Sequence, residues 1–378
     1  DEAGTAITTG DENTALGYLA LSTLTTASYN TALGRAAGTQ ISTGASNTLV
    51  GTDAGQQITT GNYNTIMGHD AGDALTDADF NTALGYHALS SDTLGSRSTA
   101  IGQGALFSQN FTTATDTYNT AVGYAAGVNV TTGVRNTLIG GGAGDALTDA
   151  DYNVALGYDS LAIDTLGSRA VALGYGALST QNFTTATDNY NVAVGFSAGN
   201  SITTGILNTL IGGLAGDAMT DADENVAVGY NALTANLKGN RTVAIGNGAL
   251  MAQTFSSITD SYNTAVGHFA GGSVTTGVNN TLIGGLAGDA LTDADGNTAL
   301  GLLALSSDTL GSRSTAIGRS ALQTQNFTTA TNAYNVAVGF DAGTAVTTGI
   351  RNTLMGSQAG DALTDADDNV AVGALALS

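Results

Sequence analysis

The sequence predicts an all-β fold: a parallel β-solenoid, or β-roll, of about 21 coils of 17 or 21 residues. Three observations carry this. A pattern of the form Asn81-Thr82-Ala83-Leu84-Gly85 recurs along the chain, and its glycine returns from Gly17 to Gly373 in steps of 17, with four steps of 21. Self-similarity at a short fixed period marks a stacked array whose units cannot bury a core alone. Glycine recurs in every coil, and β-branched residues dominate, which argues against the helical alternative.

The elements follow in order. Residues 1–70 run as regular 17-residue coils, with Asn13-Thr14-Ala15-Leu16-Gly17 and Asn30-Thr31-Ala32-Leu33-Gly34 as the first two copies. Over 71–378 a longer period appears. Ala71-Gly72-Asp73-Ala74-Leu75-Thr76-Asp77-Ala78-Asp79 returns at Ala143, Ala215, Ala287 and Ala359, a 72-residue period made of three short coils and one long one. Four coils therefore make one superrepeat. The whole of 1–378 reads as one repeat domain. Each coil is expected to hold two short strands and two turns, each strand pairing with its copy one coil away. At about 4.8 Å per coil, the stack would be roughly 100 Å long. The extra residues of the 21-residue coils fall near Phe111, Phe183, Phe255 and Phe327. Insertions in solenoids go to turns on one edge, so these four phenylalanines are expected to mark a row of protruding interaction loops.

Within the five-residue pattern, strand alternation puts positions 2 and 4 on one face and 1, 3 and 5 on the other. Positions 2 and 4, such as Val192 and Val194, are expected to face the coil interior. Position 3, such as Ala83, Ala121 or Leu138, is expected to meet another copy of the chain around an axis, which predicts a homo-oligomer, most simply a homotrimer. The recurring Asn suggests either a ladder of amides between coils or a residue closing its own turn. Gly61, Gly133, Gly205, Gly277 and Gly349 are expected to supply a positive φ in the second turn.

Composition narrows the function. Nine basic residues against 31 acidic ones give a net charge of −22, which argues against nucleic acid, whose binding needs basic surface. For a long fibre, that charge serves solubility through repulsion. No apolar run is long enough to span a membrane. Cysteine is absent, which leaves the redox compartment open. The chain opens Asp1-Glu2-Ala3 and ends within a coil, so a processed product or a fragment of a longer polypeptide is expected.

The carboxylates recur with the superrepeat. Asp73, Asp77 and Asp79, then Asp145, Asp149 and Asp151, lie close together in a turn, and such clusters could hold Ca²⁺ through oxygen ligands. The alternative is a solvated turn whose aspartates cap backbone N–H groups. Arg97, Arg169, Arg241 and Arg313 stand one coil and one place beyond Asp79, Asp151, Asp223 and Asp295, which predicts surface ion pairs between adjacent coils. His69, His87 and His268 stand at unrelated heights. With periodic carboxylates and no nucleophile motif, no catalytic residue and no enzyme are expected, and calcium is the one candidate cofactor.

The stretch Ser98-Thr99-Ala100-Ile101-Gly102 followed by Gly104-Ala105, together with Val243-Ala244-Ile245-Gly246, resembles the head repeat of YadA-type trimeric autotransporter adhesins and related repeats of phage tail fibres and bacterial surface fibres. The resemblance implies a trimeric left-handed β-roll and a structural or adhesive fibre segment. Such a segment would lie outside the cell, on a cell surface or virion, and attach to a host-cell surface, glycan or matrix ligand. The coil here is longer than the family's usual repeat, and the superrepeat of four coils is not part of that pattern. The alternatives are a purely structural extracellular filament subunit and an ice-binding β-solenoid, the latter suggested by the recurring Thr-Thr pairs.

Overall fold

A computed structural model describes residues 2–378. The chain is an all-β parallel solenoid of about 21 coils, and every regular element among the described residues is a strand. It divides into two compact units, residues 1–190 and 191–378. In the first unit the strands Thr14–Leu16, Thr31–Leu33, Thr48–Val50, Thr65–Met67, Thr82–Leu84 and Thr99–Ile101 pair in parallel, each with its copy one coil on, Thr14 opposite Thr31 and Leu16 opposite Leu33. At a 21-residue coil the register lengthens without slipping, so that Thr99 faces Thr120 and Ile101 faces Val122. The second unit repeats this from Val192–Val194 to Val370–Val372, with Val243 facing Thr264 across its first long coil.

Most 17-residue coils carry one strand rather than the expected two. The rest of the coil is turns and bends. The cause lies in the backbone: after each strand glycine, left-handed residues alternate with ordinary ones, as at Leu19 (φ +61°) and Leu21 (φ +49°), and such a chain cannot lie extended. Its N–H groups still bond one coil ahead, Leu21 N–H to Ala37 O at 3.2 Å and Gly38 N–H to Ala54 O at 3.0 Å. A second parallel ladder forms only between each 21-residue coil and the 17-residue coil before it, Gly95–Ser96 with Thr115–Asp116 and its copies.

The inside and outside of the strand are the reverse of the sequence expectation. Position 3 lines the interior: Ala32, Leu49, Ile66, Ala83, Ala121 and Leu138 are all fully buried. Positions 2 and 4 face outward, with Leu16, Leu33, Met67, Leu84 and Leu156 each more than 40% exposed. Both faces carry apolar residues, so alternation alone could not choose between them. Volume decides. In several layers the large residue comes from one side of the coil or the other. Leu89 accompanies Ala83. Where Leu49 takes position 3, the facing residue is Gly55, whose Cβ would lie 2.9 Å from Leu49 Cδ2. Such volume conservation maintains close packing.

The Asn of the pattern builds a ladder between coils, and a bond to its own turn accompanies it at Asn369, whose Nδ2 donates to Asp367 O at 3.0 Å. Asn47 Oδ1 accepts from the Asn64 main-chain N–H at 2.9 Å and from Asn64 Nδ2 at 3.0 Å, while Asn64 Nδ2 also donates to Ala78 O at 2.8 Å. One side chain thus joins the coil behind it to the turn ahead of it. Strand glycines are needed for close approach as well as for φ: at Gly34 (φ +144°) an added Cβ would lie 2.2 Å from Gly51 O. Gly61 corrects the expectation of a positive φ in the second turn. It has none, and its equivalents Gly133, Gly205, Gly277 and Gly349 have none. A side chain is excluded there because its Cβ would lie 2.5 Å from Ala78 O in the next coil.

Candidate interaction surfaces

The four insertion phenylalanines are interior residues, each only 6% exposed. Their rings seat on a glycine of the preceding coil: a Cβ on Gly239 or Gly311 would come within 2.7 Å of the Phe255 or Phe327 ring. What projects from the insertion is its apex, Thr112, Thr113 and Ala114 in the first copy. The insertion also carries a buried polar network that sequence reading missed. Gln109 Nε2 donates to Asp92 Oδ2 at 2.6 Å and to Ser98 Oγ at 2.8 Å, and its Oε1 accepts from Asn119 Nδ2 at 2.8 Å. Asp92 Oδ1 in turn accepts from Gly95 and Phe111 N–H groups. Ser98 stands where the ladder would place an Asn, so Gln109 spans the interruption. Burial pushes the Asp92 carboxyl above its ordinary pKa against these hydrogen bonds. The signal was present in the sequence: Asp92, Asp164 and Asp308 return at the superrepeat period, with Asn236 in the remaining copy.

The acidic turns do not converge. Asp79 Oδ1 caps the Asn62 main-chain N–H at 2.6 Å, and Asp151 Oδ1 caps Val134 N–H at 2.7 Å. Asp77 accepts from the Thr60 hydroxyl, and Asp149 from Thr132 Oγ1 at 2.6 Å. Asp73 and Asp145 each bury one carboxylate oxygen without a partner, and burial raises the pKa of both. Among the described residues, no group of three acidic, His or Cys side chains is placed to hold a metal ion.

The arginines also choose other partners than expected. Arg97 N–H donates to Asp79 O at 3.0 Å, so the main chains meet as the spacing predicts. The Arg97 side chain instead reaches forward, Nε lying 3.0 Å from Asp116 Oδ1, and Arg169 Nε lies 2.9 Å from Asp188 Oδ2. Arg241 pairs with both Glu224 and Asp260. The reason is that the Asp79 carboxylate is already turned back onto Asn62. At Arg313 the forward residue is Asn332, and the guanidinium bonds the Tyr334 hydroxyl at 3.0 Å instead. These arginines belong to an exposed column just before each ladder position. Tyr63 and Phe80 stack there at 5.0 Å and 6°, and Arg169 lies 5.0 Å from the Tyr152 ring and 5.8 Å from that of Tyr190.

His69 and His87, which looked unrelated in sequence, sit on neighbouring coils around Asp70, with Nδ1 atoms 2.9 Å and 3.9 Å from Asp70 Oδ2. They belong to the turn after the strand glycine, where the superrepeat stops copying itself. Asn81 is Asn in every superrepeat, yet Gln103 is matched by Tyr175, Asn247 and Arg319, and Phe107 by Ser179, Met251 and Gln323. Two concavities open on this varied edge. One, of about 220 Å³, is lined by Tyr86, His87, Gln103, Gly104, Phe107 and Tyr124 among others. The other, of about 380 Å³, lies between Met251, Phe269, Leu286 and Asp289.

The remaining surface is the outward strand face. Position 2 gives Thr or Val and position 4 gives Leu, Ile, Val or Met, coil after coil, within each unit. Ala121, on which the sequence placed self-association, is fully buried in the core and cannot form that contact. No helix among the described residues is long and apolar enough to cross a membrane. No family model matches the chain, and no characterised protein matches it in sequence.

Proposed function

We propose that this chain is a segment of an extracellular attachment fibre, carried on a cell surface or virion, that associates with copies of itself as a homotrimer. The observation that carries the reading is the outward apolar stripe. Leu84, Leu156, Ile211, Leu300 and Met355 are each at least 40% exposed in the isolated chain and repeat at the same strand position. Contiguous exposed apolar surface of this kind marks an interface, and a repeating stripe suits an identical, equally periodic partner. The resemblance to YadA-type head repeats points the same way. The reading is non-catalytic, with the aspartates of the turns serving as caps. The Thr-Thr turns favour the ice-binding alternative less, because Thr59 and Thr131 hydroxyls are spent on carbonyls of the next coil.

Light scattering on the purified chain tests the assembly. We expect the mass of three chains at micromolar concentration. Replacing Leu84 and Leu156 by Asp should yield monomers with an unchanged far-UV spectrum. A wild-type monomer would overturn the trimer. Adhesion of coated beads to host cells and matrix tests attachment separately.

A further inference from the structure

We propose that the slot between Tyr86 and Tyr124 binds one ring of a neutral saccharide, a ligand assignment that rests on the attachment reading above. The two tyrosines occupy the same place in their coils, two coils apart and both in the first unit, 50% and 68% exposed. At about 4.8 Å per coil they stand about 10 Å apart, twice the separation of stacked rings, which leaves space for one ring between them. The floor is Gly104, where an added Cβ would find only Val128 Cγ2, at 3.9 Å. The cavity of about 220 Å³ suits a single ring rather than a peptide strand or a lipid chain.

Equivalent places elsewhere in the chain show what fits. One superrepeat on, Gln103 is replaced by Tyr175, whose ring stacks on Tyr158 at 5.7 Å and 12°. At the next copy the floor glycine, Gly248, is covered by the Phe269 ring, 2.8 Å from where its Cβ would be. At the last, Arg319 lays its guanidinium 5.4 Å from the centre of the Phe340 ring. In three copies the protein fills the place with a flat group of its own. At Tyr86–Tyr124 the His87 ring packs on the Tyr86 side, and a cavity remains between it and Tyr124.

The rim identifies the ring as a sugar. Gln103 is exposed, and its amide has no hydrogen-bond partner among the described residues. His87 lies against Tyr86 with ring centres 4.0 Å apart. An aromatic side chain from a protein partner would cover these polar groups without satisfying them, which costs free energy. A pyranose presents a C–H face to Tyr124 and to the paired rings of Tyr86 and His87, and hydroxyls to the Gln103 amide and the imidazole nitrogens. No carboxylate or cation lines the slot, and a net charge of −22 repels anionic glycans.

Saturation-transfer NMR on the intact chain tests this with methyl glucoside, methyl galactoside and methyl mannoside as probes. Transfer to the ring protons of at least one is expected, with affinity falling at least tenfold in Gln103→Tyr, which copies Tyr175, and in Tyr124→Ala. Tyr18→Ala, outside the slot, should bind as wild type does, and circular dichroism should be unchanged throughout. Absence of transfer from all three probes, or transfer equal in wild type and Gln103→Tyr, overturns the proposal. So does transfer to N-acetyltyrosinamide or sialyllactose in place of the glycosides. If the wild-type chain attaches to cells and Gln103→Tyr attaches equally well, the slot fails and the attachment reading stands. If the glycosides bind but the wild-type chain attaches to nothing, attachment fails and the slot stands.

Discussion

The guanidinium carbon of Arg97 lies 4.9 Å from the centre of the Phe80 ring, one coil behind it. Both residues are left-handed, at φ +64° and +59°, in a column where Asn or Gly would cost least. Two coils do use them, at Asn279 (φ +59°) and Gly296 (φ +66°). Tyr, Phe and Arg elsewhere accept the backbone cost in exchange for stacking and ion pairing.

Leu207 shares that backbone, at φ +60°, but its exposed aliphatic chain cannot stack as a ring or guanidinium does. Leu207→Asn should therefore stabilise the protein by about 0.5–1 kcal/mol. Arg97→Asn, which also removes the Asp116 pair and the stack, should give no gain. Urea unfolding midpoints of the two variants check the contrast.

Asn64→Ala should destabilise by about 2–4 kcal/mol, because it leaves the Asn81 N–H and the Ala78 carbonyl buried without partners. Denaturant unfolding followed by circular dichroism measures it. A cost near zero would mean that the ladder adds nothing beyond the main-chain bonds.

Stability should rise as pH falls from 7 toward about 4, just above the ordinary carboxyl value of 3.8. Burial raises the carboxyl pKa at Asp73, Asp92, Asp145, Asp223 and Asp289 above 3.8. Between 3.8 and those raised values the folded state holds more protons than the unfolded, so stability falls as pH rises through that window. Asp221 and Asp368, whose pKa values are lowered, lose their contribution only below 3.8. Asp92→Asn, which copies Asn236, should keep the fold and flatten part of the slope. Thermal melts at the two pH values decide it.

Millimolar Ca²⁺ should leave the melting midpoint where EDTA leaves it. Asp77 and Asp79 already serve Thr60 and Asn62, and an ion would have to displace those bonds. An upward shift that disappears in Asp77→Asn would show that the turns rearrange into a cation site.

The register was legible because glycine is compulsory where Gly34 meets Gly51 O, and a compulsory residue leaves a visible period. Inside and outside were not, because Ala83 and Leu84 are both apolar and only the volume across the coil distinguishes them. Partners differing in their place within the coil, such as Gln109 with Ser98 or His69 with His87, escaped for a related reason. The period aligns like with like, whereas these contacts join unlike positions. The Arg97 pairing failed because the spacing fixes main chains, and side chains then follow the nearest carboxylate still free.

The four-coil superrepeat has a consequence for the gene. Deleting residues 82–153 would join Asn81 to Val154, the very junction already present at Asn153-Val154. Nearly all the stacking around that junction would be between residue types that already meet, with Asp70 over Asp159 the exception. Unequal crossing-over between copies would therefore lengthen or shorten the array by whole blocks without an unpaired seam. The number of copies becomes a heritable variable, open to change within a population while the coil itself stays fixed.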